Sequence, residues 1–226
     1  MSLSSSRDRS LANRVVLLTG VSREIGIGAS LARRLLDEGA SVFATGWASH
    51  DDEMAWGADV DCGAALLAEL DPGDGRFHYQ EADLEDPIVA DLLVRETVER
   101  FGAIDILIAN HARSSRESLA EVTAVELDRC WAANGRASVL LAQSFAARHD
   151  ASRPHGRMLL FCSGQHIGPM SNEIAYAVTK GAIHQMTASL SDALIDQGIT
   201  VNCINPGPTD TGYATPGMHQ AVAERM

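Results

Sequence analysis

Residues Arg14-Val15-Val16-Leu17-Leu18-Thr19-Gly20-Val21-Ser22-Arg23-Glu24-Ile25-Gly26-Ile27-Gly28 pass from an apolar run into a glycine-rich turn, and the amphipathic stretch Ala29 to Glu38 follows at once. A short run that is apolar at nearly every position suits a strand covered on both faces, as in parallel sheets. Ser41 to Thr45, Ile104 to Ala109, Arg157 to Cys162 and Ile199 to Ile204 repeat the theme, and Arg76 to Gln80 gives a weaker version of it. Between these runs lie longer stretches that end at Gly39, Gly102 and Gly198, where glycine supplies the left-handed residue that closes a helix. Asp86-Pro87 reads as a capping carboxylate followed by a proline in the first helical position. Thr123 and Glu126 have capping-box spacing, and a long helix is expected from about Thr123. The expected architecture is α/β: a doubly wound parallel sheet in one domain, residues 13–226, after a disordered lead-in of residues 1–12.

Composition narrows the partners. The 226-residue chain carries 30 acidic and 18 basic residues, a formal charge of −12, which repels nucleic-acid backbones and anionic membrane surfaces. No apolar run reaches the roughly 18 residues that span a bilayer, and the polar start Met1 to Arg14 lacks a secretion-type hydrophobic stretch. Cys62, Cys130, Cys162 and Cys203 are scattered without metal-ligand spacing, so buried thiols in a cytoplasmic protein are expected, with no metal site. His50-Asp51-Asp52-Glu53 reads as an exposed loop after the second strand.

In such a sheet, ligands bind beyond the carboxyl ends of the strands. The glycine turn lets the backbone approach a pyrophosphate, which the following helix N-terminus favours; a tight turn without a ligand is the alternative. A sharper pattern is Tyr176-Ala177-Val178-Thr179-Lys180. The chain has 3 tyrosines and Lys180 is its single lysine, so four-residue spacing between the two types has a chance probability of about one per cent. Four residues along a helix put both groups on one face. A neighbouring ammonium favours the phenolate of a tyrosine, whose ordinary pKa is about 10, and makes it a general acid/base. A surface pair on an amphipathic helix would show the same spacing, and the stripe Ile183, Met186, Leu190 and Leu194 marks that helix's core face.

Together, Thr19-Gly20 with Gly26-Ile27-Gly28, and Tyr176-x-x-x-Lys180, resemble the short-chain dehydrogenase/reductase family, nearest its 3-oxoacyl-(acyl-carrier-protein) reductase-like carbonyl reductases. The likeness runs from Arg14 to about Thr211. It implies a Rossmann-type fold and hydride transfer between NAD(P) and a ketone or secondary alcohol. By the same resemblance, Asn134, Ser163, Tyr176 and Lys180 form the catalytic set. Tyr176 exchanges the proton, Ser163 bonds the carbonyl oxygen, Lys180 holds the nicotinamide ribose, and Asn134 positions a water that links Lys180 to solvent. The implied cofactor residues are Gly20, Ser22, Arg23, Gly26, Ile27, Asp83, Leu84, Asn110, Tyr176, Lys180, Pro206, Gly207, Thr209 and Thr211. Substrate is expected near Gln165, His166, Met170 and Tyr213. A homodimer or homotetramer is implied through the helices from Thr123 and Tyr176. A catalytically silent dinucleotide-binding redox sensor, an enoyl-thioester reductase-like enzyme and a sugar-nucleotide epimerase are the rival readings.

The sequence departs from the family pattern at several points. The glycine turn is longer by two residues, as though Glu24-Ile25 were inserted. The Asn-Asn-Ala-Gly signature reads Ala109-Asn110-His111-Ala112, with His111 expected as a packed turn residue. Gly46-Trp47 stands where an acid would accept the ribose hydroxyls of NAD. Arg23 could meet a 2′-phosphate or remain a solvated loop residue, and the lean is towards NADP. The family's seventh strand is expected to be missing, which would leave Ile199 to Ile204 as an edge needing cover by a tail or another chain. Gly212 to Met226 corresponds to the family's substrate flap.

Overall fold

A computed structural model describes residues 9–59, 63–212, 217 and 220. Six strands, β1 (Val15–Thr19), β2 (Ser41–Gly46), β3 (Phe77–Glu81), β4 (Ile106–Ala109), β5 (Gly156–Phe161) and β6 (Ile199–Ile204), form one sheet in the order β3-β2-β1-β4-β5-β6. Every neighbouring pair is parallel. Seven α-helices connect them among the described residues: α1 (Ile27–Asp37), α2 (Ala48–Glu53), α3 (Ala64–Leu70), α4 (Val89–Phe101), α5 (Ala124–Cys130), α6 (Ala137–Arg148) and α7 (Ile174–Leu194).

The period-two alternation of side chains explains why the strands are apolar throughout. Val16 and Leu18 of β1, with Val42 and Ala44 of β2, pack on one face against Ala29, Ala32 and Leu36 of α1 and Leu66 and Leu70 of α3. Leu17 and Phe43 point the other way, into a core with Leu93 and Val94 of α4, Leu141 and Phe145 of α6, and Ile183 of α7. Gly39, Gly102 and Gly198 adopt φ of 90°, 79° and 72°, the left-handed conformation their positions demanded.

Several expectations need correction. Residues 9–12 of the expected disordered lead-in are folded: Leu11 N–H donates to the Glu38 carbonyl at 3.0 Å and Ser10 Oγ to Glu38 Oε2 at 2.8 Å. Pro87 precedes α4 rather than opening it, because Asp86 Oδ1 accepts the Ile88 N–H at 3.1 Å in an intervening turn. The long helix expected from Thr123 runs on to Arg148, but with a change of pitch inside it. Thr123 Oγ1 does cap Glu126 N–H at 3.1 Å, but a π-helical turn, Trp131–Arg136, separates α5 from α6. The Trp131 ring lies where a Cβ at Gly135 would sit, so glycine admits it.

Strand β6 ends the sheet among the described residues. Ile199 and Val201 face the core, and Ile204 is 38% exposed.

Candidate active site

The glycine turn is fixed by the strand on its far side. Thr19 Oγ1 accepts the N–H groups of Asn110 at 3.1 Å and His111 at 3.2 Å, while Asn110 Nδ2 donates to the Gly20 carbonyl at 3.0 Å. A Cβ at Gly28 would fall onto the Gly20 carbonyl, so only glycine lets α1 start this close to the turn. Glu24 and Ile25, the additional residues, form an exposed bend closed by Gly26 N–H donating to the Arg23 carbonyl at 3.0 Å.

Beyond the carboxyl ends of β1 to β4 opens a cleft, where ligands bind in open parallel sheets. Gly20, Ser22, Asp83 and Leu84 are among its walls, with Thr45, Gly46, Trp47 and Arg113. Thr45 Oγ1 is buried there without a partner. Asn110 flanks the cleft through Gly20. Gly26 caps α1 and Ile27 is its first residue, both beside the turn.

Asp51 corrects the expectation of an exposed acidic loop. Residues 50–53 belong to α2, and Asp51 is only 8% exposed. Its carboxylate accepts from Ser22 Oγ at 2.5 Å and from Trp56 Nε1 at 3.0 Å, joining α2 to the glycine turn. Arg23 is not a solvated loop residue either. Its guanidinium donates to the Thr211 carbonyl at 2.8 Å and lies 5.8 Å from the Trp56 ring centre, with Nε buried and unpartnered. Pro206, Gly207 and Thr209 make an exposed turn past β6, in which Thr209 Oγ1 donates to the Pro206 carbonyl at 3.1 Å.

Tyr176 and Lys180 share one face of α7, with Lys180 Nζ 5.7 Å from the Tyr176 ring centre. Lys180 is 3% exposed, and its ammonium donates to the Phe161 carbonyl at 2.8 Å, at the carboxyl end of β5. That bond places the charge two residues before Ser163, which is half-buried. Burial pushes Lys180 down to about 8, against the opposing influence of Cys203 and Cys162.

Asn134 sits in the π-helical turn, fully buried. Its Oδ1 accepts the Arg113 N–H at 2.7 Å, and its Nδ2 donates to the Arg113 carbonyl and to Thr179 Oγ1, both at 3.0 Å. The amide therefore organises the backbone beside the cleft and the residue before Lys180. Arg113 itself escaped the sequence reading. Only 6% exposed, it pairs with Glu126 at 3.2 Å, Glu85 at 3.3 Å and Glu53 at 3.4 Å. Glu126, which capping-box logic would turn back on Thr123, is thus drawn to Arg113.

His111 is a packed turn residue. Its Nε2 donates to the Ala133 carbonyl at 2.9 Å, and its Nδ1 then accepts from Thr19 Oγ1 at 2.7 Å. Burial, reinforced by the Lys180 charge, pushes the imidazole down to about 4, so it is neutral at pH 7. Burial and Arg113 likewise lower His50.

The expected substrate residues diverge. Gln165 Nε2 donates to Glu173 Oε2 at 3.0 Å, His166 stacks on His184 at 5.1 Å between ring centres, and Met170 is 47% exposed. Tyr213 lies outside the described residues. No group of His, Cys, Asp or Glu suited to a metal occurs among the described residues, and none of their helices is long and apolar enough to cross a membrane.

A six-stranded parallel sheet with a glycine turn at one end and a tyrosine–lysine helix beside it defines a dinucleotide-type oxidoreductase scaffold. A family model described as short chain dehydrogenase matches residues 14–221, and the chain belongs to that family. Uncharacterized oxidoreductase YjdA of Bacillus subtilis is 36% identical over 214 residues, 94% of this chain and 82% of that protein. Versicolorin reductase 1 of Aspergillus parasiticus is 31% identical over 202 residues, 89% of this chain and 71% of that protein. A short chain dehydrogenase from Burkholderia cenocepacia, solved in complex with NADP, superposes with a TM-score of 0.81 at 30% identity, covering 96% of this chain and 84% of that one.

Proposed function

We propose that this short-chain oxidoreductase interconverts a ketone and a secondary alcohol, with Tyr176 as the general acid/base. The observation that carries the reading is the position of Lys180, 5.7 Å from the Tyr176 ring centre and bonded to Phe161 just ahead of Ser163. A buried cation facing a phenol stabilises its conjugate base. In reduction, the Tyr176 hydroxyl gives its proton to the carbonyl oxygen, and Ser163 donates a hydrogen bond where negative charge develops. In oxidation, the phenolate takes the proton back. Lys180, at about 8, is mostly protonated at neutral pH and supplies the charge. Asn134 acts through structure, by holding Arg113 and Thr179.

The cleft residues suit a dinucleotide. The unpartnered Thr45 hydroxyl and the close approach of Gly28 to Gly20 form a polar cradle in which a side chain would leave no room. Gly20, Ser22, Asp83 and Leu84 would hold the adenosine half, with Gly26, Ile27 and the α1 N-terminus at the pyrophosphate. Asn110 would support the cradle, while Lys180 and the segment from Pro206 to Thr211 would flank the nicotinamide half. A bound nicotinamide supplies the hydride. NADP(H) is the preferred form in this reading. Arg23 keeps an unpartnered Nε in the glycine turn, and the Asp51 carboxylate, engaged by Ser22 and Trp56, is not turned to a ribose.

The protein is proposed to work in the cytoplasm as a homodimer or homotetramer. The free thiols Cys130, Cys162 and Cys203 suit a reducing compartment, and exposed Trp131, Val139 and Val178 on the helical faces suit burial between subunits. Sedimentation tests the assembly. The chemistry is tested by following NADPH and NADH oxidation against ketones that include a 3-oxoacyl thioester. Turnover supports the enzyme, whereas tight cofactor binding without turnover of any ketone favours a sensor.

A further inference from the structure

A second cleft adjoins the first, sharing Arg113 with it, between Met54–Trp56 on one side and Ser114–Glu117 on the other. In the 113–117 segment, Arg113 and Ser115 are buried, Arg116 is exposed, and Glu117 is half-buried. Ser115 and Glu117 both line this cleft. Ser115 is 6% exposed, and its Oγ has no hydrogen-bond partner. Glu117 Oε2, two residues on, is also buried and unpartnered. Buried polar atoms are ordinarily satisfied, so two orphans on the wall of one cleft mark a place where a ligand completes the bonding. The Glu117 carbonyl accepts the Ile174 N–H at 3.3 Å, which brings this wall to the start of α7, two residues before Tyr176. The cleft thus runs from a wall of the cofactor site to the base of the helix bearing the proton donor.

The chemistry of the wall selects the ligand. A carboxylate accepts hydrogen bonds and a serine hydroxyl exchanges them, so the complement is a group that donates. Glu53, Glu117 and Glu126 outnumber Arg113 and Arg116 around the cleft, which disfavours an anion. Met54 and the Trp56 ring supply an apolar side. We propose that this cleft is the substrate subsite, and that Ser115 and Glu117 bind hydroxyl groups of an uncharged hydroxylated ketone. The proposal rests on the carbonyl-reductase reading above and assigns the substrate class for it.

The test pairs kinetics with direct binding. Reduction of 2-hydroxycyclohexanone is compared with that of cyclohexanone in the wild type, Ser115→Ala and Glu117→Gln, and calorimetry measures binding of 1,2-cyclohexanediol to the same proteins with cofactor present. The wild type should prefer the hydroxylated ketone by about tenfold in kcat/KM. Each substitution should bring that ratio towards one and weaken diol binding by about fivefold or more. A wild-type ratio near one, a preference that survives both substitutions, or a diol affinity unchanged by both would overturn the subsite. If no ketone turns over yet the diol binds and the substitutions weaken it, the subsite stands and the carbonyl-reductase reading fails.

Discussion

The side chain of Asn134 grips the backbone of Arg113 from both sides, its Oδ1 taking the N–H at 2.7 Å and its Nδ2 giving to the carbonyl at 3.0 Å. Three glutamates around the Arg113 guanidinium then bind this point to α2, to the segment before α4 and to α5. Cofactor cleft, π-helical turn and proton-donor helix therefore meet at one pair of residues. Asn134→Leu leaves the Arg113 N–H and carbonyl buried without partners, a loss of about 2–4 kcal/mol by denaturant unfolding. Thr179→Ala, which removes the third bond together with the one that Thr179 Oγ1 donates to the Tyr176 carbonyl at 2.9 Å, should cost about 1–2 kcal/mol.

Gly28→Ala places a methyl group on the Gly20 carbonyl. Either α1 moves away or the turn opens, and the cradle is lost both ways. Dinucleotide affinity should fall by about 100-fold or more in a fluorescence titration, because close backbone approach is what the glycine permits.

His111 makes stability pH-dependent. Its folded value, about 4, lies below the ordinary 6.5, so the unfolded chain takes up the proton first as pH falls. Stability is fully present above about 6.5 and declines through the window down to about 4; the loss attributable to His111 is about 2 kcal/mol by pH 5. His111→Gln can keep both hydrogen bonds without titrating. Denaturant midpoints at pH 7 and pH 5 should therefore lie closer together in the variant than in the wild type.

Arg23→Ala separates the two cofactors. With the guanidinium gone, NADPH should bind about tenfold more weakly while NADH changes by less than about threefold, since only the former carries the 2′-phosphate. Equal losses for both would leave Arg23 as a brace between Thr211 and Trp56 with no part in selectivity.

Much of the fold was legible because its signals are local. The apolar run Val15–Thr19 and its counterparts sit within a residue or two of the expected strands, and Gly39, Gly102 and Gly198 mark helix ends by backbone geometry alone. The π-helical turn was not legible, since Trp131–Arg136 lacks a proline and satisfies helical propensity on both sides of it. The segment His50 to Glu53 misleads because polarity suggests exposure. Asp51 is buried by Ser22, 29 residues away in sequence. Arg113 falls in a stretch without helical periodicity, and its partners come from three separate elements. Spacing identifies the Tyr176–Lys180 pair, whereas bonds between distant segments define what surrounds it.

Replacing the Tyr176 hydroxyl tests the account most directly. Tyr176→Phe should lower kcat for ketone reduction by about 1000-fold, with NADPH dissociation constants within about threefold of wild type. A variant that reduces ketones at near wild-type rates would contradict the assignment of Tyr176 as the proton donor.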